Sequence, residues 1–121
     1  MINKNFWKNK KILITGHTGF KGSWLTLILS MLGAKVYGYA LKPISKPNFF
    51  DGLKLKKYLK GEYRENIQNK KKIYKAIKSI KPNIVFHLAA QSSVLQSYQT
   101  PEDTIKTNLI GTYNILESIK N

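Results

Sequence analysis

The stretch KILITGHTGFKGSWL, residues 11–25, decides the fold because it joins an apolar run, a glycine cluster and a second apolar run. Residues 11–15 lack polar alternation, which is typical of a parallel strand buried on both faces. Glycines recur every third residue across residues 16–22, which predicts a turn with close backbone approaches. Residues 23–32 predict a largely buried helix, and Gly33 follows where a left-handed C-cap residue would sit.

Outside this stretch, apolar runs and helical patterns keep alternating, which predicts an α/β domain with a parallel sheet. Further strands are predicted at residues 35–40, 58–62 and 83–88, with a polar loop over residues 41–59. A lysine-rich helix is predicted over residues 69–80 and should end before Pro82. Its core-facing side would carry four apolar residues, namely Ile73, Ala76, Ile77 and Ile80.

The last predicted helix opens at residues 100–103, after a loop with a short helical turn at residues 89–99. Thr100 can cap this helix, Pro101 suits its first position, and the two acids that follow favour the positive end of its dipole. We expect its buried face to carry Ile105, Leu109, Leu116 and Ile119.

Length and composition fit one small domain of 121 residues, spanning residues 1–121, with 42% hydrophobic residues. The sequence contains no cysteine, which excludes a disulfide framework and a thiolate metal site, and we predict no metal. No run approaches the roughly 18 apolar residues of a membrane span. The basic N-terminus lacks the apolar core of a secretory signal, so we expect a cytoplasmic protein without a membrane partner.

A formal net charge of +15 raises the question of a nucleic-acid partner. Arg64 is the single arginine among 21 basic residues, whereas base readers favour arginine for its planar, bidentate geometry. The charge is also uneven, at +16 over residues 1–81 and −1 over residues 82–121. We interpret it as a solvated lysine surface, and a basic nucleic-acid-binding module stays an alternative.

The spacing GxxGxxG between a predicted strand and a predicted helix is a variant of the dinucleotide fingerprint. Gly16 allows the tight turn, Gly19 lets the backbone approach a pyrophosphate, and Gly22 lets helix and strand pack closely. The pyrophosphate would then lie at the helix N-terminus, where N–H groups and the helix dipole favour anions. The motif therefore predicts a bound dinucleotide.

The second predicted strand leaves the choice between NAD and NADP open. A usual NAD site has an acidic residue at the end of this strand, but residues 39–42 read Tyr-Ala-Leu-Lys. Lys42, together with Lys21, could instead face a ribose 2′-phosphate, which favours NADP. Alternatively, Lys42 is a solvated loop residue.

Five segments carry a resemblance to a known family: Asn5-Phe6-Trp7, GHTGFKGSWL at 16–25, GYAL at 38–41, HLAAQ at 87–91 and TNLIGTYNILE at 107–117. The sequence resembles the extended short-chain dehydrogenase/reductase family, and within it the bacterial CDP-glucose 4,6-dehydratases. The resemblance implies a Rossmann-type fold with strand order 3-2-1-4 for the strands present. It also implies an NAD-dependent lyase activity that converts CDP-glucose to its 4-keto-6-deoxy product for surface polysaccharide.

The resemblance also implies site residues. The pyrophosphate would be cradled by Gly16, His17, Thr18, Gly19, Phe20, Lys21 and Gly22. Glu62 and Tyr63 stand where the family contacts adenine, and Leu88, Ala89 and Ala90 would line the cofactor. Asn108 would lie near the active site, and Gln91 and Ser92 on the sugar side. His87 is interpreted as a packed strand-end residue.

The family's catalytic Tyr-x-x-x-Lys pair is expected beyond residue 121, so we expect an incomplete dinucleotide-binding domain, inactive alone and dimeric only in a full-length form. Tyr74 and Lys78 have the same spacing, but they fall on a predicted surface helix and we interpret them as coincidence. Residues 92–95 read Ser-Ser-Val-Leu where CDP-glucose dehydratases commonly read Pro-Leu-Val-Arg, and this run is similar to GDP-mannose 4,6-dehydratases. A fragment of such an enzyme or of an epimerase, a non-enzymatic NAD(P)-binding module and a decayed gene product stay open as alternatives.

Overall fold

The computed structural model describes residues 1–120, whose centre is a parallel sheet of four strands. The strands are β1 Lys11–Thr15, β2 Lys35–Tyr39, β3 Gly61–Tyr63 and β4 Ile84–His87. Their order is β3-β2-β1-β4, which confirms the order that the resemblance implies, and all three pairings are parallel, as the sequence pattern predicts. The carboxyl ends of all four strands therefore meet at one edge of the sheet.

Helices precede β1, occupy the connections between the strands and follow β4. They are α1 Lys4–Trp7, α2 Phe20–Met31, α3 Phe49–Gly52, α4 Lys70–Ile80, α5 Val94–Gln99, α6 Pro101–Ile105 and α7 Gly111–Lys120. A 3₁₀ turn at Leu55–Tyr58 follows α3, and a π-helical segment at Lys106–Ile110 joins α6 to α7. No helix in this part of the chain is both long and apolar enough to cross a membrane.

The side chains of β1 point alternately to the two faces of the sheet, and each face has its own core cluster. Leu13 faces a cluster with residues of α4 and α7, including Ile73 and Ile115. Ile12 and Ile14 face the opposite cluster, with Leu29 of α2, Ala34 and Val36. Burial of β1 from both sides confirms that its apolar run is a central strand.

Helix α2 differs from its prediction because it is only partly buried. It begins at Phe20, inside the glycine-rich turn, and buries its small and polar residues Gly22, Ser23 and Thr26 together with Leu29. Ile28 and Met31 are 42% and 74% exposed. The closest packing of the helix on the sheet is made by small side chains and Leu29, while Trp24, Ile28 and Met31 point outward. Gly33 has φ +84°, which confirms the left-handed C-cap.

The segment predicted as a polar loop at residues 41–59 contains α3 and the 3₁₀ turn. Phe50 and Leu55 are 1% and 0% exposed, so this connection has its own apolar anchors. Asn48 caps α3 by accepting the Asp51 N–H. The third strand lies slightly later than predicted, at Gly61–Tyr63. Helix α4 matches its prediction, including the four buried apolar residues.

The predicted buried face of the last helix is wrong. Ile105, Leu109, Leu116 and Ile119 are 50–65% exposed. The helix instead presents Gly111, Asn114, Ile115 and Ser118 to the core. Two contacts fix this orientation, because Asn114 Nδ2 donates to the carbonyls of Ile67 and Gln68, and a Cβ at Gly111 would lie 2.6 Å from Ile67 Cγ2.

Thr100 occupies the N-cap position of α6, but its hydroxyl makes no capping bond to that helix. It donates to the Gln96 carbonyl of α5 instead. The predicted position is therefore confirmed, and the predicted capping bond is wrong, because the preceding residues form a helix whose last carbonyls compete for the hydroxyl.

We predict that Ile115→Ala lowers the free energy of unfolding by about 2–4 kcal/mol, because it opens a cavity at a 2% exposed site. The neighbouring Leu116→Ala removes a similar side chain that is 62% exposed and should change it by less than about 0.5 kcal/mol. Urea unfolding of the two variants checks the orientation of α7. Equal destabilisation by both would contradict it.

Candidate functional site

The glycine-rich turn at residues 16–22 holds the carboxyl end of β1 against α2 and the segment after β4. Gly16 has φ +76°, and a Cβ there would lie 2.8 Å from the Ala89 backbone nitrogen. A Cβ at Gly22 would collide with the Gly16 carbonyl oxygen. Both glycines are therefore required by the packing of the protein itself.

Gly19 is different, because the fold does not require it to be glycine. It is exposed, its φ is −74°, and a Cβ there would lie 3.4 Å from the nearest atom, the Gly16 oxygen. An alanine would fit this backbone without a positive-φ penalty. The bare surface of the turn at Gly19 is thus available for the close approach of a ligand.

The N-terminus of α2 faces the same surface. Its first intrahelical bond runs from the Ser23 N–H to the Gly19 carbonyl at 2.8 Å. By helix geometry the amides of residues 20–22 have no carbonyl one turn earlier to bond. These three N–H groups and the positive end of the helix dipole form a binding surface for an anion, beside the open turn at Gly19.

His17 lies beneath the turn, and its side chain is 0% exposed. Its Nε2 lies 2.8 Å from Glu62 Oε1, and its ring packs edge-on against Phe50 with centroids 5.3 Å apart. A Cβ at Gly38 would lie 2.5 Å from this ring, so Gly38 makes room for it in β2. The side chain therefore anchors the turn to β3, and only the His17 backbone can serve the predicted binding role.

Glu62 and Tyr63 lie at the end of β3, but their side chains are already engaged. Glu62 Oε1 also accepts from Arg64 Nε at 2.7 Å, and Tyr63 stacks on Tyr39 with ring centroids 6.2 Å apart. Arg64 is a site residue that sequence reasoning missed. Its signal was its place two residues after the predicted third strand, as the single arginine of the chain.

A hydrogen-bond chain joins β1, β4 and α7 behind the site. Thr15 Oγ1 accepts the N–H groups of Leu88 and Ala89, at 3.1 and 3.2 Å. Its own proton therefore goes to His87 Nδ1, 2.6 Å away, which leaves Nε2–H to donate to Thr112 at 2.9 Å. His87 is the packed strand-end residue that the sequence predicts.

The same chain reaches Asn108. The Thr112 hydroxyl donates at 2.6 Å to the carbonyl of Asn108, which lies in the π-helical segment before α7. The Asn108 amide then clamps the segment after β4, since Oδ1 accepts from the Gln91 N–H at 2.8 Å and Nδ2 donates to the Gln91 carbonyl at 2.9 Å. Asn108 therefore positions a loop, and its side chain is occupied in doing so.

The residues after β4 divide into open and engaged ones. Leu88 is 41% exposed, and Ala90 and Ser92 are also exposed. The Gln91 side chain is engaged, because it donates to Thr104 Oγ1 of α6 and accepts from the Ser93 N–H of its own loop. The structure thus brings Leu88 and Ala89 beside Gly16, with the Gln91 side chain engaged and Ser92 exposed.

Lys21 and Lys42 are both exposed, Lys21 on the first turn of α2 and Lys42 after the end of β2. Lys42 lines a cavity of about 340 Å³ together with Lys46, Lys56 and Arg64. The Tyr74–Lys78 pair lies on α4, where Lys78 Nζ sits 5.4 Å from the ring of Tyr74 itself. That pair lies outside the glycine-rich turn and the segment after β4.

Comparisons with a family model and with curated relatives both find 4,6-dehydratases. The family model described as GDP-mannose 4,6 dehydratase matches residues 13–121. The CDP-glucose 4,6-dehydratase of Salmonella typhimurium is 45% identical over 120 residues, covering 99% of this chain and 33% of the relative. The GDP-mannose 4,6 dehydratase 2 of Caenorhabditis elegans is 31% identical, covering 96% of this chain and 32% of the relative. The chain spans about a third of the length of the curated relatives it matches.

Solved structures show the same fold. The UDP-glucose 4-epimerase of Thermotoga maritima, determined with UDP-glucose, has a TM-score of 0.77 at 30% identity, covering 89% of this chain and 33% of that one. The UDP-glucose 4-epimerase of Thermus thermophilus, in complex with NAD, has a TM-score of 0.72 at 26% identity, with the same coverage. The predicted resemblance to nucleotide-sugar dehydratases and epimerases and the Rossmann-type sheet are confirmed.

We predict that the two histidines make the protein less stable in mild acid. Burial lowers the pKa of the His17 imidazole, although Glu62 opposes this, and burial also lowers the pKa of His87. As the pH falls below 6.5, the unfolded chain takes up protons that the folded chain does not, so the free energy of unfolding decreases.

NMR titration of the two imidazoles measures this directly. Both resonances should titrate below the usual 6.5, and His87 should carry its proton on Nε2 at neutral pH. Urea unfolding at neutral and mildly acidic pH should show the matching loss of stability. A histidine that titrates above 6.5 would contradict the assignment for that residue.

Proposed function

The chain belongs to the GDP-mannose 4,6-dehydratase family, and we propose that it forms the NAD(P)-binding part of a nucleotide-sugar 4,6-dehydratase. The turn at residues 16–22 is the observation that supports this proposal most strongly. Gly16 and Gly22 serve the fold, whereas Gly19 offers bare backbone beside the amides of residues 20–22. That combination suits the pyrophosphate of a dinucleotide.

When bound, the dinucleotide would supply the hydride acceptor for oxidation of the sugar and would return the hydride later in the reaction. The residues of this chain would bind and orient it. The turn would hold the pyrophosphate, and the small side chains of Ala89 and Ala90 would let the cofactor lie close to the backbone after β4. Asn108 would hold the Gln91 backbone, so that Ser92 lies on the sugar side.

CDP-glucose is the substrate that we propose, because the Salmonella CDP-glucose 4,6-dehydratase is 45% identical across 99% of this chain. The GDP-mannose 4,6-dehydratases among the relatives are 28–35% identical to this chain. An epimerase of the same superfamily is the alternative, supported by the likeness to the UDP-glucose 4-epimerase structures. The two activities differ in whether water is lost from the sugar.

Catalysis would need the Tyr-x-x-x-Lys pair that the resemblance implies, and the chain spans only about a third of the length of the curated relatives it matches. The exposed apolar side chains of α7 and its π-helical segment, such as Leu109 and Leu116, support a role as one part of a larger catalytic unit. We therefore propose that residues 1–121 act as its dinucleotide-binding domain.

We predict that the purified protein, given CDP-glucose and NAD⁺ or NADP⁺, forms no product lighter by one water than the substrate. The reason is that the two imidazoles are engaged, His17 buried against Glu62 and His87 bonded to Thr15 and Thr112, so neither is placed to take a proton from a sugar hydroxyl. Mass spectrometry of the nucleotide sugar measures this. Formation of the dehydrated product by this chain alone would contradict the proposal that it only binds the dinucleotide.

We predict that Gly19→Ala weakens dinucleotide binding by about tenfold or more, equivalent to about 1.4 kcal/mol, because the methyl group displaces the pyrophosphate from the helix amides. Its melting temperature without ligand should stay close to that of the parent protein, since the fold leaves room for the methyl group. Isothermal titration calorimetry with NAD⁺ and NADP⁺ measures the affinity.

Two further glycine substitutions serve as controls. Gly52→Ala adds a methyl group with nothing within 4 Å and should change neither affinity nor stability. Gly22→Ala forces the helix away from Gly16 and should lower the melting temperature even without ligand. Unchanged affinity in Gly19→Ala would show that the turn does not hold the dinucleotide.

A further inference from the structure

We propose that the outward side of α2 binds a bilayer containing anionic lipid, so that the protein lies on a membrane surface. We define this α2 surface by six apolar residues of α2, α3 and the cap of α3, namely Phe20, Trp24, Ile28, Met31, Phe49 and Leu53. The inference goes beyond the proposed function, because it needs neither a bound dinucleotide nor a catalytic residue.

Helix α2 is apolar on the side that faces away from the sheet. Its large exposed apolar side chains recur at steps of four, four and three residues, which places them on one side of the helix. They are Phe20, Trp24, Ile28 and Met31, with exposed fractions of 42–74%. Lys21 is the single charged residue of the helix. A solvated helix carries polar residues on its outward side, so this side of α2 has the composition of a covered surface.

Aromatic contacts join α2 to α3 and make the exposed residues contiguous. Trp24 stacks on Phe49 with ring centroids 4.8 Å apart, and Phe20 meets Phe49 edge-on at 5.8 Å. Leu53, directly after α3, is exposed. Exposed apolar residues that are scattered singly need no partner, whereas a contiguous patch marks an interaction site. Trp, Phe and Leu are side chains that enter the boundary between lipid headgroups and acyl chains.

The charge around the α2 surface favours an anionic partner. Residues 1–60, which form α1, α2, α3 and the 3₁₀ turn, contain twelve lysines against the single acid Asp51, a net charge of +11. Lys21 lies on the first turn of α2, and Lys54 and Lys57 are exposed at the 3₁₀ turn, which packs against α2. A second copy of the chain would bring like charges together and would be repelled.

A bilayer with anionic headgroups satisfies both the charge and the apolar side chains. Its surface attracts lysines, and its acyl chains lie within reach of an aromatic side chain that enters the interface. A nucleic acid would supply negative charge too, but its backbone offers no apolar phase for Ile28 and Met31. The expectation of no membrane partner rested on the lack of a spanning segment and of a secretory signal, and a protein lying on a bilayer needs neither.

Cosedimentation of the protein with lipid vesicles tests the inference. Vesicles of phosphatidylcholine with about one quarter phosphatidylglycerol should bind the protein about tenfold tighter or more than pure phosphatidylcholine does. Ile28→Ser/Met31→Ser and Lys54→Gln/Lys57→Gln should each weaken that binding by about tenfold, the first by removing apolar contact and the second by removing charge.

Matched variants on the opposite face of the sheet serve as controls. Leu109→Ser/Leu116→Ser removes two exposed apolar side chains from the π-helical segment and α7, and Lys75→Gln/Lys78→Gln removes two charges from α4. Both should bind the anionic vesicles within about twofold of the parent protein.

Tryptophan fluorescence reports on the α2 surface without a substitution in it. The chain has two tryptophans, so Trp7→Phe leaves Trp24 as the single emitter. Its emission should shift to shorter wavelength with the anionic vesicles, and lipids brominated on their acyl chains should quench it. This readout keeps the inference testable even where a double variant fails to fold.

The other outcomes overturn the inference. They are no binding to the anionic vesicles, binding that leaves Trp24 emission unchanged, and a loss of binding as large in the control variants as in those of the α2 surface. Light scattering that shows a dimer abolished by Ile28→Ser/Met31→Ser would assign the surface to a second copy instead. Quenching of Trp24 by a DNA oligonucleotide, without a shift on vesicles, would assign it to nucleic acid.

Discussion

The contact between Gly22 and the Gly16 carbonyl is the constraint on which the rest of the structure depends. No side chain fits between them, so α2 starts directly against the end of β1. That approach orients the first amides of the helix toward the open side of the turn. Helix α2 thereby covers one face of the sheet, while α4 and α7 pack on the other face. Fold and binding surface therefore share one backbone geometry.

Much of the fold follows from the sequence because periodicity and glycine spacing are local signals. The apolar run of β1, the amphipathic face of α4 and the left-handed Gly33 needed no knowledge of distant residues. The orientation of α7 could not be predicted locally, because it depends on bonds from Asn114 to the carbonyls of Ile67 and Gln68, which are distant in sequence. Apolar residues on both sides of α7 made the exposed face resemble a core.

The candidate site shows the same division. Of the backbone elements of the site, residues 16–22 were predictable from glycine spacing between a strand and a helix, and residues 88–92 from the resemblance to a known family. The use of each polar side chain was not, because it depends on three-dimensional partners. The His17 side chain lies in the interior, bonded to Glu62, and the Asn108 side chain is bonded to the Gln91 backbone. Arg64 became visible only when β3 placed it beside the segment after β2.

The central claim is that the turn at residues 16–22 holds the pyrophosphate of a dinucleotide. Backbone amide shifts recorded by NMR during titration with NADP⁺ test it most directly. The account predicts that the largest shifts fall on residues 18–22, with smaller ones at 88–90 and 42–46 and none on the exposed face of α4. Saturable shifts confined to other surfaces, or no shifts at millimolar NADP⁺, would contradict it.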